Sequence, residues 1–193
     1  MPKIVDHEIR KAEFAAAACE AIFQHGIDAL KLTNVATIAG CTTGALTHYF
    51  ETKDELIIAA IDYAWSSIRK RMYEQLEQEN VDALAFFSEL LPTTREKQKA
   101  NTVWFHYWLR SIHSLELARK KDENHIEWLS MMAACFDKLY KQGTITKRVS
   151  DMDLETIDAV VHGISLHGVI APDRWSAERQ VGQLKHYLDG ILH

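Results

Sequence analysis

Glycine and proline are scarce in this 193-residue chain, at 8 and 3 copies. That shortage argues against sheets rich in tight turns and favours long helices. Long apolar runs are missing too. No stretch approaches the ~20 uninterrupted apolar residues that span a bilayer, and the start MPKIVDHEIRKAEF has no apolar signal core. A cytoplasmic chain with no membrane partner is expected. Cys19, Cys41 and Cys135 are widely separated and form no C-x-x-C pair, so they read as reduced, buried small hydrophobes. Basic charge is also short. Lys and Arg number 22 against 27 Asp and Glu, a formal net charge of −5. This counts against indiscriminate polyanion binding, yet a sequence-specific DNA reader needs only a locally neutral or basic face.

Catalytic signatures are lacking as well. There is no G-x-S-x-G, no glycine-rich phosphate loop and no H-E-x-x-H. His162 and His167 are five residues apart, so on a helix they diverge by about 140°. His106 and His113 lie two turns apart with no zinc-binding arrangement. No catalytic residue, metal ligand or cofactor is expected, and the chain reads as a non-enzyme.

What is present is helical periodicity throughout. Ile9, Ala12, Ala16, Cys19 and Phe23 recur at steps of three and four, which predicts a first helix ending at His25-Gly26. Thr33 is the expected N-cap of a short second helix with Val35, Ile38 and Ala39 inward, and Thr42 caps a short third with Leu46 and Phe50 inward. A long fourth helix is expected from about Lys53 to Gln78, with Leu56, Ala60, Ala64, Ile68 and Met72 along one side. A fifth runs from near Val81 toward Pro92, and a sixth from about 95 to 112. Ser114 caps a seventh, which Gly143 stops after Gln142. The stretch GTITKRVSDMD reads as a loop. The eighth helix runs from near Asp153 to before Pro172, and Ser176 caps the ninth. The fold class is all-α with nine helices: a three-helix helix-turn-helix domain over 1–52 and a longer helical domain over 53–193.

The helix-turn-helix carries the functional reading. Thr33–Ala39, the turn Gly40-Cys41-Thr42 and Thr43–Phe50 form a short helix, a glycine turn and a second short helix. Stepping 100° per residue from Leu46 puts Phe50 beside it, facing the core, and turns Gly44, Ala45, Thr47 and His48 outward, with Tyr49 at the edge. A small, polar outer face suits entry into a major groove. Gly44 costs about 1 kcal/mol against Ala inside a helix, so a contact reason is expected for it. Thr33, Thr42 and Thr43 sit where hydroxyls and unpaired N–H groups meet phosphates, and Lys53 can reach one.

These residues also carry a resemblance. Gly26, then Thr33 with Ile38-Ala39-Gly40-Cys41-Thr42, then Gly44-Ala45-Leu46-Thr47-His48-Tyr49-Phe50 and Lys53-Asp54-Glu55-Leu56 resemble the TetR family of bacterial transcriptional repressors over roughly residues 9–60. The Thr-His-Tyr-Phe form, in place of the commoner aromatic-x-His, is similar to the subgroup holding the choline-responsive repressor of betaine synthesis. The resemblance implies a homodimer on palindromic operator DNA, released by a small molecule bound in the C-terminal domain. An activator or a ligand-independent regulator of the same fold is the alternative, because sequence does not encode the sign of regulation.

Candidate residues follow for both remaining roles. Trp65, Phe86, Trp104, Phe105, Trp108, Trp128, Met131 and His167 are the expected pocket walls, suited to an apolar inducer or a quaternary ammonium cation held by cation–π contacts. Ala177, Val181, Leu184, Leu188 and Ile191 on the ninth helix form a seam-like stripe. Ile157, Val161, Ile164 and Gly168 on the eighth do the same. The resemblance implies a four-helix dimer interface there, although an intramolecular core would produce the same stripes.

Overall fold

The computed structural model describes residues 2–192, with side chains over 7–191. Among the described residues nine α-helices follow one another with no strand. They are α1 (Pro2–His25), α2 (Leu32–Ile38), α3 (Thr43–Thr47), α4 (Lys53–Glu77), α5 (Ala83–Ser88), α6 (Arg95–Ser111), α7 (Leu115–Lys141), α8 (Asp151–Ile170) and α9 (Ala177–Leu192).

The helix ends are set by local chemistry. Gly26 and Gly40 hold φ of +78° and +63°, a backbone region open to glycine at little steric cost, so α1 and α2 stop there. The Thr42 hydroxyl accepts from Ala45 N–H at 3.2 Å, as expected of a cap. Thr33 is not a cap. The N-cap of α2 is Lys31, without a side-chain bond, and Thr33 lies inside the helix, its carbonyl accepting from the Thr37 hydroxyl. Ser114 and Ser176 do cap, accepting from Leu117 and Arg179 N–H. At α8 the cap is Ser150 in a reciprocal pair with Asp153, so this helix begins two residues before the expected start. Asp82 caps α5 through Ala85 N–H, and the helix ends at Ser88, short of Pro92.

The chain divides into two compact units, residues 1–67 with 102–121 and residues 68–101 with 122–193. In the first, Phe14, Ile22, Val35, Leu46, Leu56 and Ile57 are fully buried. The buried face of α1 is therefore set by Phe14, Ala18 and Ile22; Ile9, from the expected stripe, is 55% exposed. Six alanines between residues 12 and 21 leave periodicity little to distinguish, and the large side chains decide. Ile38 is likewise outside, while Ala36 takes the inner position beside Val35. The stripe of α4 falls as expected, with Leu56, Ala60 and Ala64 buried here and Ile68 and Met72 buried in the second unit.

The second unit is closed by aromatics and by one tight crossing. Phe86 and Phe87 meet edge to face at 5.2 Å, and Trp128 stacks on Phe86 at 6.2 Å. The Leu90 carbonyl accepts from both Asn101 Nδ2 and Ser165 Oγ, which ties the end of α5 to α6 and α8. At Gly168 the α8 backbone is closely covered by side chains of neighbouring segments. A Cβ there would stand 2.7 Å from Gln180 Nε2 and from Pro92 Cγ, so glycine is the residue that fits.

Candidate nucleic-acid interface

The surface most suited to DNA is the outer face of α3. Leu46 is buried beneath it and Phe50 follows at its end, both anchored in the first unit's core. Thr42, Thr43, Gly44, Thr47 and His48 are exposed, and Ala45 is half-buried. The Thr47 hydroxyl donates to the Gly44 carbonyl at 3.1 Å, which fixes its rotamer while leaving oxygen lone pairs outward. Gly44 has no packing reason within the protomer, since a Cβ would meet only the Thr42 hydroxyl oxygen, at 3.9 Å. Thr33 is exposed on α2.

Tyr49 sits where α3 meets α1. Its ring stacks on His7 at 4.5 Å, meets Phe14 edge-on at 5.1 Å and His48 edge-on at 5.6 Å. The ring thus packs the end of α3 against α1. His7 carried no motif and sequence reasoning passed over it; it lies 42 residues before Tyr49, beyond any helical spacing. Lys53 is exposed and donates to the Asp28 carbonyl at 3.5 Å, closing the α1–α2 turn onto the start of α4.

The expected pocket aromatics are divided between the two units. In the first unit, Trp65 and Trp104 meet at 5.2 Å, Trp104 and Trp108 at 5.9 Å, and Phe105 and Trp108 at 6.1 Å. The indole N–H groups of Trp65 and Trp104 are buried without a hydrogen-bond acceptor. In the second unit, Phe86, Trp128 and Met131 are buried. His167 is exposed and pairs with Trp175, their rings parallel at 4.6 Å.

A polar site beside Trp128 escaped the sequence reading. Its indole N–H donates to Asp158 Oδ1 at 2.6 Å, and His162 Nδ1 lies 2.8 Å from the same oxygen. Burial pushes the Asp158 carboxyl up, but hydrogen bonding and charge from His162, the Trp128 bond and the charge of His125 together hold it below the usual carboxylate range. The Asp158–His162 spacing of four residues on α8 was the available signal.

The α8 and α9 stripes face inward. Ile157, Val161, Ile164, Gly168, Leu184 and Leu188 are buried within the protomer, and Val181 and Ile191 are half-buried. A side chain already covered by its own protomer is not surface that a partner covers, so the heptad-like spacing here reports the intramolecular core. The opposite faces are open: Met152, Ala159, Gly163, Leu166 and Ile170 on α8, and Gly182, His186 and Gly190 on α9. Among the described residues, nothing lies within 4 Å of a Cβ built on Gly163, Gly182 or Gly190.

Two family models match this chain: bacterial regulatory proteins of the tetR family over residues 15–60, and the C-terminal region of BetI-type transcriptional repressors over residues 81–193. The chain belongs to the TetR family, with a BetI-type C-terminal region, and is a DNA-binding transcriptional regulator. It is 27% identical to the regulator PksA of Bacillus subtilis (strain 168), covering 99% of this chain and 94% of that one. The regulator BetI of Paraburkholderia phymatum is 24% identical, covering 100% and 97%. Among solved structures, a TetR-family regulator from Rhodococcus sp. superposes with a TM-score of 0.81 at 20% identity, covering 95% of this chain and 98% of that one. A Saccharomonospora viridis regulator in complex with choline gives 0.80 at 18% identity, covering 94% and 96%. These two likenesses concern the fold.

Proposed function

We propose that this protein is a cytoplasmic repressor that binds a palindromic operator as a homodimer and leaves it when a small molecule binds. It acts by binding and not by catalysis. The observation that carries the reading is the exposed, small and polar outer face of α3, held on a fully buried Leu46. Thr43, Gly44, Ala45, Thr47 and His48 read base edges or phosphates in the major groove, with Thr33, Thr42 and Lys53 at the flanks and Tyr49 setting the angle. The helix-turn-helix domain covers 1–52, and α4 starts the ligand-binding and dimerisation domain at residue 53.

The pair forms through the open faces of α8 and α9. Ala159, Gly163, Gly182 and Gly190 let helices approach closely, and Met152, Leu166 and Ile170 supply the apolar area. Twofold pairing then sets two α3 helices one turn of DNA apart, roughly 34 Å.

The inducer is an apolar molecule or a quaternary ammonium cation, held by Trp65, Trp104, Phe105 and Trp108. Support for this group over Phe86, Trp128 and Met131 comes from its setting. Trp65 stands on α4, which begins three residues after Phe50. Trp104 and Trp108 stand on α6, whose His106 abuts Gly26, a built Cβ there meeting the imidazole at 3.3 Å. The Ser114 hydroxyl, just beyond α6, donates to Asp54 at 2.6 Å. Separation of α6 from α4 by a ligand therefore strains the seat of the helix-turn-helix, and a coupling of ~1–3 kcal/mol is typical of such responses.

The test is selection of DNA sites by the full-length protein, followed by titration of a selected palindrome at rising salt. Sequence-dependent binding that weakens steeply with salt is the expected result. A protein that selects no sequence sinks the reading. Adding choline, then a series of neutral apolar compounds, to the protein–DNA complex identifies which chemistry releases it.

A further inference from the structure

We propose that a second ligand site, for a small organic cation with a flat apolar body such as an arylalkylammonium, lies in the cleft between α1 and α4. This cleft belongs wholly to the first unit and holds about 650 Å³, within the range of small-molecule sites. It is distinct from the Trp65–Trp104 group, none of whose residues lines it.

The charge of the lining selects the ligand. Glu8, Glu55 and Asp62 contribute three carboxylates, against the single ammonium of Lys11. Lys11 Nζ stands 5.8 Å from the Phe50 ring centroid, which draws its charge toward that ring. Groups from outside the lining also approach these carboxylates. Lys120 Nζ is 3.5 Å from Asp62 and His7 Nδ1 is 3.6 Å from Glu8, while one Glu55 oxygen accepts the Glu51 N–H at 2.8 Å. The lining itself carries three carboxylates to one ammonium, which favours a cation over an anion in the cleft.

The shape selects an aromatic or similarly flat body. Tyr49 and Tyr63 stand in the walls and give the cleft an aromatic border, which suits a flat cationic guest. Ala59 on α4 keeps the floor low and the exposed Ala12 on α1 leaves the opposite wall open, where larger residues would fill the space.

The location gives the site a consequence. Tyr49 lines the cleft and also braces α3 against His7 and Phe14. A guest that leans on Tyr49 shifts the recognition helix without passing through the Trp65–Trp104 group. The cleft is thus a direct effector site on the DNA-reading unit.

The test uses full-length protein and calorimetric titration with 1-naphthylmethylammonium, with neutral 1-naphthylmethanol as the isosteric control. We expect one cation bound per protomer and weaker binding of the alcohol. Glu8→Gln and Asp62→Asn should each weaken the cation about two- to fivefold, as for partly exposed charge pairs. Ala59→Phe, which fills the floor, should abolish binding, and Ala12→Phe from the opposite wall should do the same if Ala59→Phe does not fold. Trp104→Ala should leave the affinity unchanged. The proposal is overturned if the alcohol binds as tightly as the cation or if no cation binds at millimolar concentration. It is equally overturned if binding survives the filling variants, or if Trp104→Ala removes it.

Discussion

The Trp128 indole N–H donates to the Asp158 carboxylate at 2.6 Å, joining α7 to α8 by a charged hydrogen bond at the edge of an aromatic core. The acceptor is held below its usual carboxylate range, so its contribution to stability has a defined direction in pH. A carboxyl depressed in the folded state stabilises above its unfolded pKa of roughly 3.9, and that stabilisation fades as pH falls through the lower folded value. Asp158→Asn should cost about 1–3 kcal/mol at pH 7. In urea unfolding of both proteins the gap between the two midpoints should narrow progressively as pH is lowered below about 4; a gap that does not change with pH would show that charge is not what stabilises the joint.

Gly44 separates folding from DNA reading. It is exposed in a short helix and has room for a methyl group. Gly44→Ala should leave the melting temperature level or raise it, by up to about 1 kcal/mol of stability. Operator affinity should nevertheless fall, because the backbone can no longer come as close to DNA. Anisotropy titrations beside thermal melts check this, and an affinity equal to wild type would remove Gly44 from the interface.

Thr47 and His48 point outward from the same helix. Thr47→Ala and His48→Ala should each weaken the selected operator by about 1–3 kcal/mol relative to scrambled DNA, with unchanged helix content and oligomeric state. Normal binding by both variants would mean that α3 presents a different face.

The two sides of α8 should respond oppositely. Ile157→Ala opens a hole in the protomer core and should cost about 2–5 kcal/mol in unfolding experiments. Gly163→Arg adds a charge where nothing lies within 4 Å, so the protomer should keep its stability while sedimentation shows a monomer. A Gly163→Arg dimer as tight as wild type would move the pairing surface elsewhere.

Gly168 is a position where added volume should be felt. A methyl group there must displace the Gln180 amide and the Pro92 ring, each 2.7 Å from the Cβ position. Gly168→Ala should destabilise the protein by about 1–3 kcal/mol. Denaturant unfolding measures it, and a neutral result would indicate that α9 yields locally.

Much of the architecture could be read from residue order because its signals are local. Gly26, Gly40, Thr42, Ser114 and Ser176 mark helix ends through chemistry within four residues. The α4 stripe was equally plain, since large apolar and small residues alternate with polar ones at a single period. Where the signal was not local, reading failed or halted. Thr33 had the composition of a cap, but the chain turned two residues earlier, at Lys31. The alanine-rich α1 offered several equivalent faces until Phe14 and Ile22 found partners. The Ile157–Ile164 spacing marks a buried stripe correctly, yet periodicity carries no information on whose surface does the burying. His7 against Tyr49 and the Trp128–Asp158 bond join residues far apart in sequence, and only the folded chain brings them together.

Gly163 and Gly182 have a bearing on life in a cell that holds several regulators of this kind. Because the inner stripe of α8 closes the protomer unaided, the outer one is free to drift without endangering the fold. Close relatives can then acquire mutually incompatible outer faces by single substitutions, each keeping to its own kind. Under the proposed pairing, the separation of those two sides would insulate one genetic circuit from the next.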